Sequence, residues 1–183
     1  MPAASAASST FALQQIDQVR TTLHGLTPQQ AHARTTASDF SLAMLARHVR
    51  NVCLAWGGAV SAAPECPTSG ADVIAGDDDA WSLPDTLTPD DLRADLDEAA
   101  TALVDAIDGA GLDALVPTPQ APWYPEDLVG WESRWVILHV IAEIARHAGQ
   151  ADIIRESLDG KKAYELNARS DGELADDEEF PTW

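Results

Sequence analysis

The sequence predicts an all-α protein: an antiparallel four-helix bundle with one long crossover loop. Three observations lead there. Four segments repeat apolar residues every three or four positions, the period of a helix with one buried face. Strand-like alternation is weak throughout. A long polar connection separates the second helical segment from the third, as crossover connections do in bundles. At 183 residues the chain is the size of one domain with a real core.

The first helical segment covers about residues 11–24. Leu13, Ile16, Val19 and Leu23 fall on one face, Ser9 or Thr10 can cap it, and Gly25 followed by Thr27-Pro28 ends it. The second covers residues 38–61, with a stripe of Leu42, Leu45, Val49, Val52, Trp56 and Val60. His48 lies at the edge of that stripe or inside it. Residues 63–87 then form a Pro-, Gly- and Asp-rich connection that includes Asp77-Asp78-Asp79 and one large apolar anchor, Trp81. Connections this long are often functional or mobile.

The third helix opens at Thr88-Pro89-Asp90-Asp91. Threonine caps, proline fits the first helical position, and the aspartates suit the positive helix start. Leu92, Leu96, Ala99, Leu103 and Ile107 give its apolar face, and Gly109 and Gly111 end it. A Pro-rich link at 117–125 carries Trp123 and Tyr124. The fourth and longest helix covers residues 128–158, with Gly160 as its stop. Apolar residues extend most of the way around it, so it is expected to be the most buried. Residues 1–160 are thus expected to form the bundle, and 161–183 an acidic, partly disordered tail.

Eleven basic residues stand against 30 acidic ones, for a net charge of −19. Such a surface repels nucleic acid and anionic membranes. No run of 18 apolar residues occurs, so no membrane-spanning helix is expected. The small, polar N-terminus lacks the basic start and apolar run of a signal peptide, and the expected location is the cytoplasm. Cys53 and Cys66 make neither a zinc motif nor a disulfide framework and are read as reduced thiols.

The chemistry concentrates on the fourth helix. His139, Glu143 and His147 follow one another at steps of four, so all three project from one stripe. A carboxylate and an imidazole at this spacing can share one metal ion, and a cation would relieve the cost of a glutamate among apolar neighbours. An intrahelical Glu–His pair at a solvated edge fits the spacing equally well. His48, from a second helix, could meet the pair across the bundle. Two histidines and one carboxylate leave an open coordination position, as catalytic metal sites do. His139 reads either as a spare ligand or as a satisfied core histidine. Arg134 and Arg146 could bind an anionic substrate group or form local salt bridges. His24 and His32 read as surface residues. Trp81, Trp123 and Tyr124 read as packing anchors or as a pocket mouth.

Residues 134–160, centred on His139-Val140-Ile141-Ala142-Glu143-Ile144-Ala145-Arg146-His147, closely resemble the last bundle helix of an actinobacterial DinB-like family. That family groups with the metal-binding domain of mycothiol-dependent maleylpyruvate isomerase and with the bacillithiol transferases. Phe40-Ser41-Leu42-Ala43-Met44-Leu45-Ala46-Arg47-His48-Val49 resembles the second helix, where these proteins place their first ligand histidine. The resemblance runs over about residues 11–160. It implies a metal held by His48, Glu143 and His147, with the Glu-x-x-x-His pair of the isomerase branch. It also implies thiol-dependent transfer or isomerisation, in which the metal lowers the pKa of a cofactor thiol. Zinc is the first expectation, with nickel, iron and manganese open. The implied thiol is mycothiol, and the implied partners are that small-molecule thiol and an electrophile. A homodimer is left open.

Two departures stand out. Relatives often carry His-Leu-x-Glu-Val-Glu where this chain has His48-Val49-Arg50-Asn51-Val52-Cys53, and Gly-His-Ala-Asp where it has Gly149-Gln150-Ala151-Asp152. Neither changes an implied ligand, and both could alter the site's surroundings or its substrate. The isomerase's second domain has no counterpart in this length, so maleylpyruvate isomerisation itself is not implied. The alternative reading is a non-catalytic, stress-related bundle that binds a metal or a small molecule.

Overall fold

A computed structural model describes residues 3–65, 83–118, 125 and 127–181. Among these, four long helices form the bundle: α1 (Ala3–Thr21), α3 (Leu42–Ala62), α4 (Pro89–Ala110) and α5 (Ser133–Asp159). Two short helices, α2 (Pro28–His32) and α6 (Ala163–Ser170), flank them. α3 packs on α4 and α5, and α1 packs on α5 and α4, so each long helix has two close neighbours around one core. No helix among the described residues is long and apolar enough to cross a membrane.

The predicted faces meet in that core, with instructive shifts. On α1 and the turn that follows it the buried series is Ala12, Ile16, Val19 and then Leu23, while Leu13 is 41% exposed. The helix also starts earlier than expected, because the Ala-rich run before Ser9 is a strong helix former. Thr10 therefore lies inside the helix, and its hydroxyl donates back to the Ala6 carbonyl instead of capping. On α4 all five predicted apolar positions are buried. A fully buried leucine such as Leu96 or Leu103 contributes roughly 1.5–3 kcal/mol. α3 approaches α4 closely at Gly57, where a Cβ would stand 3.3 Å from the Leu103 Cα.

Caps fix the helix registers. Thr88 and Asp91 form the reciprocal capping box that the sequence pattern announces. Thr27-Pro28-Gln29-Gln30 builds a second such box, and with it α2, a helix that hydrophobic periodicity does not reveal. Ser41 caps α3, its buried hydroxyl accepting from the Met44 amide at 3.2 Å.

α5 begins later than its apolar pattern suggests. Residues 130–132 form a strand, β2 (Gly130–Glu132), antiparallel to β1 (Leu115–Pro117). Three residues per strand are too few to show a two-residue alternation. Gly130 is required there: a Cβ would lie 2.5 Å from the Val116 carbonyl oxygen. The chain before β1 also satisfies the first amides of α5. Ser133 donates to Ala114 (2.8 Å) and Arg134 to Leu112 (2.9 Å), replacing a side-chain cap. Nor is α5 buried on all sides: Trp135, Leu138 and Ile153 are 42%, 56% and 62% exposed.

The other end of α5 is held by Arg155, a fully buried cation. Its guanidinium grips Asp159 in two parallel bonds of 3.0 and 2.9 Å. Its remaining Nη1 donates to the carbonyls of Thr22 (2.6 Å) and His24 (2.8 Å) beyond the end of α1. The acidic C-terminal segment is drawn onto the same end. α6 lays Leu166 against α1, and Arg169 binds Glu165 (2.8 Å) together with the carbonyls of Glu178 and Ala175. Asp176 meets His24 at 3.0 Å.

Arg155→Ala is expected to lower stability by about 3–5 kcal/mol in urea unfolding, because it strands Asp159 and two carbonyls. A loss below about 1 kcal/mol would contradict the clamp. Burial pushes the Asp159 carboxyl up, but the hydrogen bonds and charge of Arg155, helped by Lys161, outweigh it and hold the group below its ordinary 3.8. A depressed carboxyl stabilises the fold above its ordinary value and loses that contribution as pH falls through the folded-state value. Asp159→Asn is therefore expected to destabilise at neutral pH, and the gap from the parent should close on acidification.

Candidate metal centre

α3 and α5 face one another along the seam that holds the site. Leu45 and Val49, both fully buried, seat the turn of α3 that carries His48. Val140, Ile144 and Ala148 seat the corresponding stretch of α5. Glu143 and His147 stand one turn apart on α5 and point at His48.

One ligand atom from each of the three residues lies within 4.8 Å of the other two. The His147 Nε2 is 3.1 Å from Glu143 Oε1, and the His48 Nε2 is 3.8 Å from the same oxygen. The two imidazoles meet edge to face, with centroids 4.5 Å apart. Side-chain exposures of 19%, 36% and 12% for His48, Glu143 and His147 make this a partly buried group, with Glu143 the most exposed member. Donors around a single ion with bonds of about 2.0–2.2 Å sit roughly 3–3.5 Å apart, so only a small contraction separates this arrangement from a coordination shell.

The environment of His147 tests the fit. Its Nδ1 faces the Gln150 amide oxygen at 2.8 Å, and its Nε2 faces the Glu143 carboxylate. Both neighbours are acceptors. Positive charge at Nε2 satisfies this pattern, either as a second ring proton or as a metal cation. With Nδ1–H donating to Gln150, the Nε2 lone pair is the one directed at the common point. The donor set therefore suits a divalent cation such as zinc.

The other sequence candidates fall elsewhere. Among the described residues His139 belongs neither to the cluster nor to any hydrogen bond: its ring stacks on Trp135 and meets Trp56 edge-on. Arg134 pairs with Asp113 at 2.5 Å and Glu132 at 3.9 Å. Arg146 is exposed and makes no salt bridge among the described residues. His24 and His32, read as surface residues, are partly buried and bonded, the latter to the Leu87 carbonyl at 3.1 Å. Burial pushes the Cys53 thiol up to about 12, which makes it a packing group and not a thiolate. Cys66, Trp81, Trp123 and Tyr124 lie outside the described residues. Gln150 stood out in the sequence only as a departure from relatives that could alter the site's surroundings, with no ligand contact assigned to it. Its signal was available, since it stands three positions after His147 and so shares its helix face.

Fold and site together define a class: a helical-bundle protein with a partly buried group of two histidines and one carboxylate that could hold a divalent cation. The mycothiol S-transferase family model matches residues 9–160, and the chain belongs to that DinB-like family. No curated protein and no solved structure matches it.

If Gln150 orients His147 as a ligand, Gln150→Leu is expected to weaken divalent-metal affinity about 10–100-fold. Competition against a chromogenic chelator reads this directly. Unchanged affinity would show that the amide has no such part.

Proposed function

We propose that this protein is a divalent-metal-dependent S-transferase that joins a small thiol, mycothiol or a close chemical relative, to an electrophile. The observation that carries the reading is the convergence of one ligand atom each from His48, Glu143 and His147 within 4.8 Å of one another in a partly exposed group. Family membership supports the thiol half of the reaction, and the donor set supports the metal half. Zinc is the metal proposed first, because it accepts this mixed imidazole–carboxylate set in catalytic sites that keep a position open.

His48 and His147 would hold the ion through nitrogen and Glu143 through oxygen. A bound cation supplies Lewis acidity, which favours the thiolate form of an incoming thiol at neutral pH. The protein's own groups do the rest. Gln150 keeps His147 in the tautomer that presents Nε2 inward. Glu143 offsets part of the cation's charge. The buried rows on either side of the seam keep the three side chains from turning away. The exposed edge at Glu143 admits both substrates, and the proton lost by the thiol passes to water there. Arg146, exposed one residue before His147, is the candidate to meet an anionic group on a substrate.

The purified chain is expected to bind one divalent ion and, so loaded, to consume mycothiol in the presence of an alkylating electrophile. His48→Ala and His147→Ala should each cost more metal affinity than Gln150→Leu and should abolish transfer. Metal bound without conjugation of any thiol would favour the non-catalytic binding protein. A chain that binds no divalent ion would overturn the proposal.

A further inference from the structure

A small recess opens between α5 and the chain that leads into α3. Phe40, Gln150, Ile153 and Ile154 line it with Thr36 and Ser38, and its volume is about 120 Å³. Its wall is almost wholly apolar. Two local bonds hold the loop side. The Thr36 hydroxyl accepts from the Ser38 amide (3.3 Å), and the Ser38 hydroxyl accepts from the Phe40 amide (3.2 Å). A third bond ties the loop to α5, with the Thr35 hydroxyl donating to the Ile154 carbonyl at 3.2 Å. The recess is therefore built into the fold, as ligand pockets commonly are.

Its position joins it to the proposed centre. Glu143, His147, Gln150 and Ile154 follow one another at steps of four, three and four, so cluster and recess share one stripe of α5. Gln150 belongs to both. It lines the recess, and its amide oxygen meets the His147 Nδ1 at 2.8 Å. The recess therefore begins about one helical turn, or roughly 5 Å, beyond His147. Ile153 at its rim is 62% exposed on a protein of net charge −19. An exposed isoleucine beside an apolar hollow leaves surface that an apolar ligand group would take out of water.

We propose that this recess is the electrophile subsite and that it takes the alkyl tail of an uncharged electrophile whose reacting carbon lies at the metal centre. The proposal rests on the transferase reading for its chemistry. An apolar cavity of about 150 Å³ accepts a benzene-sized group, so this recess suits a tail end of about four or five carbons. The wall offers a charged or strongly polar group nothing in exchange for its water. The net charge of the chain disfavours anionic electrophiles as well. For a terminal epoxide the step balances without a co-reactant. The thiolate sulfur bonds to the terminal carbon, and the C–O bond breaks. The oxygen keeps the bonding pair and takes a proton from water, and the thiol proton goes to solvent.

Binding is read first, without thiol. Titration of the full chain with pentan-1-ol, followed by methyl NMR, is expected to move the Ile153 and Ile154 signals along one saturable curve. Ser38→Leu, at an exposed position, puts its new side chain into the recess and should weaken that binding at least about fivefold, with zinc affinity unchanged. Reaction is read second, on the zinc-loaded chain with mycothiol and terminal epoxides from epoxybutane to epoxydodecane. The kcat/KM should stay level for the shortest members, rise up to about fourfold for each methylene that enters the recess, and then level off. Ser38→Leu should bring the plateau to shorter chains, and Ile153→Ala should flatten the climb. Saturable pentanol binding in a chain that conjugates no epoxide would keep the apolar site and sink the transferase reading. Conjugation that ignores chain length, or that climbs equally in parent and Ser38→Leu, would overturn the subsite. So would pentanol shifts that spare both isoleucines.

Discussion

Everything proposed for this chain depends on how one imidazole is held. His147 has a hydrogen-bond acceptor at each ring nitrogen, the Gln150 amide oxygen on one side and the Glu143 carboxylate on the other. A neutral imidazole can donate to only one of the two, so with its proton on the Gln150 side the lone pair of Nε2 faces the carboxylate. The His48 nitrogen lies 3.8 Å from the same carboxylate oxygen, so two ring nitrogens and one oxygen converge on one point.

The bundle keeps this convergence in place by fixing both helices that carry it. α3 is set by the Ser41 cap at its start and by its close contact with α4 at Gly57. α5 is fixed at each end. The amides of its first turn are satisfied by the chain before β1, and its last turns are clamped through Arg155 to the carbonyls that follow α1. A helix anchored at both ends cannot easily rotate about its axis. The glutamate, the two α5 histidines and Trp135 therefore keep their common orientation towards α3. That rigidity is what a coordination shell requires.

Much of this was legible in the residues. The apolar spacing of Leu92, Leu96, Ala99, Leu103 and Ile107 placed α4 correctly, and Thr88-Pro89-Asp90-Asp91 marked its start. The three proposed ligands could be singled out by their spacing and by resemblance to known relatives. Other features resisted for physical reasons. The first apolar face was misplaced at one position: Ile16, Val19 and Leu23 are buried as expected, but Ala12 fills the core beside Ile16 while the larger Leu13 points outward. The strand pair was hidden because it is held by backbone bonds and by one glycine with no room for a Cβ, neither of which leaves a hydrophobic pattern. Nothing in the sequence singles out Arg155, since its burial depends on carbonyls more than 130 positions away. His139 sat on the ligand stripe, but the same four-residue step runs back to Trp135, and the structure stacks the His139 ring there, with Trp56 of a different helix against its edge.

The central claim is that His48, Glu143 and His147 share one cation. The most direct measurement is anomalous X-ray diffraction from crystals of the zinc-loaded chain. The account predicts one strong peak between α3 and α5, with the three side chains as ligands at about 2.0–2.2 Å and a further position taken by solvent. A zinc shell that leaves out His48, or zinc bound only at the acidic C-terminal segment, would contradict it.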